Sequence, residues 1–95
     1  MRRKKPAVTG VKALPDRTNK HVRLTWQYEA NGVTKYLVYR SRETDGLSLY
    51  KALPATAGGF EDKGVDINTG YTYRVKAVFR DGTESAFSDA VQIQY

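Results

Sequence analysis

The side chains that could do chemistry in this sequence are few, and their spacing suits none of the common chemistries. The chain holds one histidine, His21, and no cysteine. A nucleophile needs a base within hydrogen-bond reach, and His21 falls on the polar phase of "HVRLTWQY", beside Arg23, which predicts a solvated surface position. Glu61 and Asp62 are adjacent, so an extended strand turns them to opposite faces instead of setting them across a scissile bond. Asp62, Asp66 and Asn68 in "DKGVDIN" fall near one turn but lack the dense oxygen spacing of a calcium loop. "AGGF" has neither the lysine nor the following helix of a phosphate-binding loop. The expectation is a chain with no catalytic residue, no metal ligand and no cofactor.

The elements that would position any site are extended. "HVRLTWQY" alternates Val22, Leu24, Trp26 and Tyr28 against polar residues, the pattern of a half-buried strand. "KYLVYRS" offers Tyr36 and Val38 to one side and Leu37 and Tyr39 to the other. "GYTYRVKAVFR" sets Tyr71, Tyr73, Val75, Ala77 and Phe79 inward against Thr72, Arg74, Lys76, Val78 and Arg80. Turn signals separate these runs, and Asn31-Gly32 and Asp81-Gly82 are predicted type I′ hairpin turns, whose two central residues need positive φ. Strands are expected at Val8 to Leu14, Val22 to Tyr28, Lys35 to Arg42, Leu47 to Leu53, near Phe60, at Gly70 to Arg80 and at Ala90 to Tyr95. That count predicts an all-β, immunoglobulin-like antiparallel sandwich of about seven strands in two sheets.

Ninety-five residues suffice for one core, burying roughly 60 to 65 per cent of the unfolded chain's surface. The formal charge is +6, of which Arg2, Arg3, Lys4 and Lys5 supply four units. The body is thus only about +2, which weakens a nucleic-acid reading. Residues 1–7 read as a basic linker and 8–95 as the domain. Pro6 follows the basic opening where an export signal would need an apolar run, so no signal peptide is read, and no transmembrane span is present. A cysteine-free chain fits a reducing cytosol or an exported domain that relies on its core.

Trp26, "YLVYRS" and above all "FEDKGVDINTGYTYRVKAV" resemble a fibronectin type III domain of the bacterial kind. In that family a hydrophobic residue stands six positions before a tyrosine that opens an alternating strand, the places held here by Val65 and Tyr71. "DGTESAFSDAVQIQ" is similar to the family's last hairpin, with Ser85 and Ser88 before the final strand. The resemblance covers residues 8–95. Two departures stand out: Ile67 occupies a position where the family often has proline, and Arg80-Asp81-Gly82 scrambles the Arg-Gly-Asp order of integrin-binding relatives.

Tyr71 is expected to be a tyrosine corner, its hydroxyl bonded to backbone between Val65 and Asn68, and Trp26 to fill the space between sheets with its indole N–H satisfied. The expected core is Val22, Leu24, Trp26, Tyr36, Val38, Val65, Tyr71, Tyr73, Val75, Ala77, Val91 and Ile93. Leu37, Tyr39, Arg74, Lys76, Val78 and Arg80 form a candidate binding face, where mixed aromatic, aliphatic and cationic groups could meet a partner or simply cover one another. The resemblance implies a non-catalytic spacer in a larger, extracellular or cell-surface bacterial protein such as a polysaccharide-degrading enzyme. The alternative is a protein- or glycan-recognition module. Neighbouring domains of the same polypeptide are the expected partners, with protein or polysaccharide as further candidates and nucleic acid disfavoured, and the isolated chain is expected to be monomeric.

Overall fold

Period-two alternation, repeated along nearly the whole sequence, produces seven strands in the computed structural model, which describes residues 5–28 and 31–95. They are β1 (Thr9–Asp16), β2 (His21–Gln27), β3 (Val33–Arg42), β4 (Ser48–Pro54), β5 (Gly59–Asp62), β6 (Gly70–Phe79) and β7 (Val91–Gln94). Two antiparallel sheets face each other, one of three strands in the order β1-β2-β5 and one of four in the order β4-β3-β6-β7. β3 and β6 are neighbours, pairing Tyr36 with Ala77 and Val38 with Val75. Among the described residues no helix is long and apolar enough to cross a membrane.

β6 shows how sequence becomes layer. Its odd residues from Tyr71 to Phe79 are buried and its even ones half-buried, as the pleat requires. They pack against Val22, Leu24 and Trp26 of β2 and Tyr36 and Val38 of β3, and Val8 and Tyr95 join the same cluster from the two ends of the domain. The Tyr71 hydroxyl accepts the N–H of Asp66 at 2.7 Å, fastening the β5–β6 connection to the core. Thr69 tightens the same turn, its hydroxyl donating to the Ile67 carbonyl at 3.1 Å, while the Ile67 side chain stands in solvent.

Several positions differ from the sequence-based expectation. His21 is buried, not solvated. It lies on the outer face, but between the carboxylates of Glu61 and Asp16, 3.4 and 3.8 Å from its Nε2. Trp26 is buried against Tyr36 at a ring separation of 5.5 Å, yet its indole Nε1 finds no partner among the described residues, so packing alone holds it. Val65, in the β5–β6 connection outside any strand, is only partly buried against the core; Ile93 is likewise partly buried and Val91 half-buried outside the central cluster, because β7 is short and lies at a sheet edge. The Asp81-Gly82 turn is not type I′. The Gly82 N–H bonds to the Phe79 carbonyl at 2.9 Å, so Arg80 and Asp81 are the central residues, and Gly82, at φ 86°, takes the left-handed position that follows in a three-residue hairpin loop. At Asn31-Gly32, Gly32 has φ 86°, and the two residues before Asn31 lie outside the described ones.

Replacing Tyr71 by Phe leaves the Asp66 N–H without its acceptor and should destabilise the domain by about 1–3 kcal/mol. Superimposable urea melts for Tyr71→Phe and the parent chain would show that this contact contributes nothing to folding.

Candidate functional site

The outer face of β3 and β6 brings Leu37 opposite Lys76 and Tyr39 opposite Arg74. Sequence reasoning missed the residue that organises this face, Phe87. Ser85 and Ser88 fasten the segment before β7 along the upper half of β6. Their hydroxyls accept the N–H groups of Ala77 and Val75, both at 2.9 Å, and donate to the carbonyls of Ala86 and Asp89. Their own N–H groups bond to the carbonyls of Ala77 and Val75. Held at both sides, Phe87 lies edge-on against Tyr39, with ring centroids 4.9 Å apart. Its only signal in the sequence is an aromatic residue framed by two serines.

The cations then close over the rings. Lys76 Nζ lies 4.1 Å from the Phe87 centroid and 5.8 Å from that of Tyr39, and it pairs with Glu84 at 3.1 Å. Arg74 stands 5.8 Å from the Phe87 ring. Each such contact is worth about 0.5–1 kcal/mol where solvent reaches it. Leu37, expected on an accessible face, is buried at 8% exposure, because the outward direction here leads under a cover. Val78 is half-buried opposite Lys35, and Arg80 lies beyond the end of β6 in the turn, exposed, its N–H bonded to the Gly32 carbonyl at 2.7 Å. The six candidate residues therefore do not form one open patch.

A second cluster lies inside the sandwich. Asp62 has no exposed surface. Its Oδ1 accepts the Tyr50 hydroxyl at 2.7 Å and the Gly64 N–H at 3.0 Å. Its Oδ2 accepts the Tyr73 hydroxyl at 2.6 Å and Arg40 Nη1 at 2.9 Å. Arg40 also donates to the Gly64 carbonyl at 3.0 Å, and its guanidinium lies 3.8 Å from the Tyr50 ring centroid. Tyr50 reaches this point because the β3–β4 register shifts between Val38 and Tyr39, which pair with Lys51 and Leu49 and leave Tyr50 as the extra residue of a bulge. A side chain at Gly64 would push the Tyr50 hydroxyl off Asp62, since a Cβ there would stand 2.7 Å from it.

Burial by itself would raise the Asp62 carboxyl, but hydrogen bonds from Tyr73, Tyr50, Arg40 and the Gly64 N–H outweigh it and hold the group below its ordinary value of 3.8. The same burial, with Asp62 as acceptor, pushes Tyr50 up to about 12 and raises Tyr73 further still. Such a carboxylate is an anchor and not an acid catalyst, because its lone pairs are occupied and its proton is absent at neutral pH. Asp66, which falls near the same turn in sequence, points instead to Arg42 at 2.7 Å and takes no part in this cluster.

No protein-family model and no curated protein matches the chain. Among solved structures, it is similar to an Fn3-like protein from Clostridium thermocellum, with 32% identity over 93% of this chain and 90% of that one and a TM-score of 0.76. It also resembles part of pectate lyase PelI from Erwinia chrysanthemi, solved in complex with tetragalacturonic acid, at 20% identity and a TM-score of 0.76. A beta-1,2-glucanase from Parabacteroides distasonis matches at 20% identity and a TM-score of 0.74. The match covers 86% of this chain and 27% of the lyase, and 96% of this chain and 12% of the glucanase, and at these identities it speaks to fold alone.

The Asp62 cluster fixes the pH profile of stability. A carboxyl depressed in the folded state contributes stability above its unfolded value of 3.8 and loses it as pH falls through the folded value. Tyrosines raised in the folded state contribute below their ordinary 10.0 and lose that contribution as pH rises beyond it. Unfolding free energy should therefore be level between these limits and fall on either side. Asp62→Asn should flatten the acid limb and lower the plateau by about 3–5 kcal/mol, because Arg40 is left without its counter-charge. Urea melts across pH check this, and an acid limb unchanged in Asp62→Asn would assign it to other carboxylates.

Proposed function

Because this chain belongs to the fibronectin type III family, we propose that it is a non-catalytic module that spaces and positions neighbouring domains of a larger, extracellular bacterial polypeptide of the polysaccharide-degrading kind. The observation that carries this reading is where the chain enters and leaves. At one pole the Lys5 carbonyl accepts the Ala86 N–H at 3.1 Å and the Pro6 carbonyl accepts the Tyr28 hydroxyl. At the other, the Tyr95 N–H bonds to the Thr69 carbonyl at 2.9 Å, and Arg17 grips the Tyr95 carbonyl through Nε and Nη2 at 3.1 and 2.8 Å. The ten residues of β6 separate these attachments by roughly 30 Å at about 3.3 Å per residue. Both ends of an elongated body, 44 × 26 × 18 Å, are thus anchored by hydrogen bonds, as a fixed spacer requires. In this reading residues 8–95 are the module and 1–7 its lead-in, with Lys5 and Pro6 already held against it.

The similarity to segments of a pectate lyase and a beta-1,2-glucanase supports the polysaccharide setting. The recognition alternative receives less support, since Phe87 and Lys76 cover the face on which it would rest.

Calorimetric titration of the chain with soluble polygalacturonate, β-1,2-glucan and heparin at about physiological salt, where weak surface attraction is screened, should give no saturable binding. Replacing Arg74, Lys76 and Arg80 by glutamine should leave the fold intact: Arg80 is exposed and contributes about 1 kcal/mol or less, while the half-buried Arg74 and Lys76 each give up a ring contact of about 0.5–1 kcal/mol. Saturable binding that this triple substitution abolishes would replace the spacer with a recognition module.

A further inference from the structure

The two sheets are unequal, and the inequality leaves a vacancy in the layer. β4 and β5 close the same side of the sandwich, where Tyr50 and Phe60 meet at 6.2 Å, but the sheet that faces β4 ends one strand short. β4 is accordingly the least covered long strand. Lys51, though paired with the fully buried Val38 and so turned toward the interior side, is exposed, and only Tyr50 and Leu53 of β4 are half-buried.

The edge that borders this side is β5, with which no strand of the described residues pairs on its outer side. The backbone N–H of Trp26 donates to the Gly58 carbonyl at 3.3 Å, and the register pairs Leu24 with Phe60 and Val22 with Asp62. In an antiparallel ladder every second residue bonds to the partner strand, so Gly58, Phe60 and Asp62 face β2 while the N–H and C=O groups of Gly59 and Glu61 point away from it. Gly59 cannot be covered by a side chain of its own, since a Cβ would stand 2.7 Å from the Leu24 carbonyl oxygen. A shallow depression runs beside these groups, lined by Arg23, Thr25, Gly58, Gly59, Glu61 and Lys63. The β4 edge, by contrast, is guarded by the bulge at Tyr50 and ends in Pro54, two devices that discourage pairing.

We propose that the free edge of β5 receives an extended, acidic polypeptide segment as the fourth strand of the smaller sheet. Backbone pairing with Gly59 and Glu61 supplies the attachment, and the segment comes to lie over the uncovered side of β4. Charge selects its composition. The corner presents Lys51, Lys63 and Arg23 against the carboxylate of Glu61, which is itself shared between His21 and Arg23 at 3.4 and 3.7 Å, with the Asp16 carboxylate set back on the far side of His21 at 3.8 Å. Asp62 is consumed by its own cluster. A second copy of this chain, at +6, is disfavoured as the occupant by the same charge argument.

The test is an NMR titration of the isotopically labelled chain with an end-blocked heptapeptide alternating glutamate and valine, followed at the backbone amides up to about 1 mM. The expected result is saturable shifts at Gly59 and Glu61, slowed hydrogen exchange at both, and no change at Tyr73 and Val75. Glu61→Pro removes one outward N–H without touching the β2 ladder and should weaken binding about tenfold or more. If that variant does not fold, the same peptide methylated on alternate backbone nitrogens serves instead, and it should not bind the parent chain. Absence of shifts at Gly59 and Glu61, binding indifferent to both blocks, or heparin or single-stranded DNA reproducing the shifts where the peptide does not would each overturn the proposal.

Discussion

A carboxylate with no exposed surface is the constraint on which this small sandwich turns. Taking a charge out of water is expensive unless every lone pair is answered, and Asp62 is answered by Tyr50, Tyr73, Arg40 and the Gly64 N–H. These partners come from β4, β6, β3 and the loop after β5, so one group ties both sheets together on the side bounded by β4 and β5. The demands propagate outward. Tyr50 must be bulged toward the interior, Gly64 must lack a side chain, and Arg40 must lie across the Tyr50 ring. A half-satisfied version of this cluster would be worse than an apolar one, which is why its parts have to be considered together.

The rest of the domain is organised around a core that this cluster seals on one flank and the Tyr71 corner seals at one end. On the opposite surface of the larger sheet, the serine-fastened segment carrying Phe87 covers Tyr39 and Leu37. At the two poles of the domain, hydrogen bonds at Lys5, Pro6 and Tyr95 fasten the backbone to the sandwich.

Much of the fold was legible because alternation is local. A strand such as "GYTYRVKAVFR" states its inner and outer faces within ten or so residues, and β6 keeps that phase without exception. What was not legible depends on residues far apart in sequence. Asp62 reads as the polar end of a short strand beside Glu61. Only the meeting of Arg40, Tyr50 and Tyr73, 11 to 22 residues away, makes it a buried anion. His21 has the outward phase the sequence assigns, yet Asp16 and Glu61 flank it, and phase alone cannot report cover. Phe87 escaped notice for the same reason, as its partner Tyr39 lies on a different strand. The Asp81-Gly82 turn failed on finer grounds: the dipeptide suits two turn types, and the position of the Phe79–Gly82 hydrogen bond decides between them.

The central claim is that Asp62 couples the two sheets energetically, beyond the sum of its separate contacts. A double-mutant cycle in urea-induced unfolding, combining Asp62→Asn with Tyr73→Phe, measures this directly. The two hydrogen-bonded groups, 2.6 Å apart, should show an interaction energy of about 1–3 kcal/mol, and single substitutions whose effects add to within about 0.3 kcal/mol would contradict it.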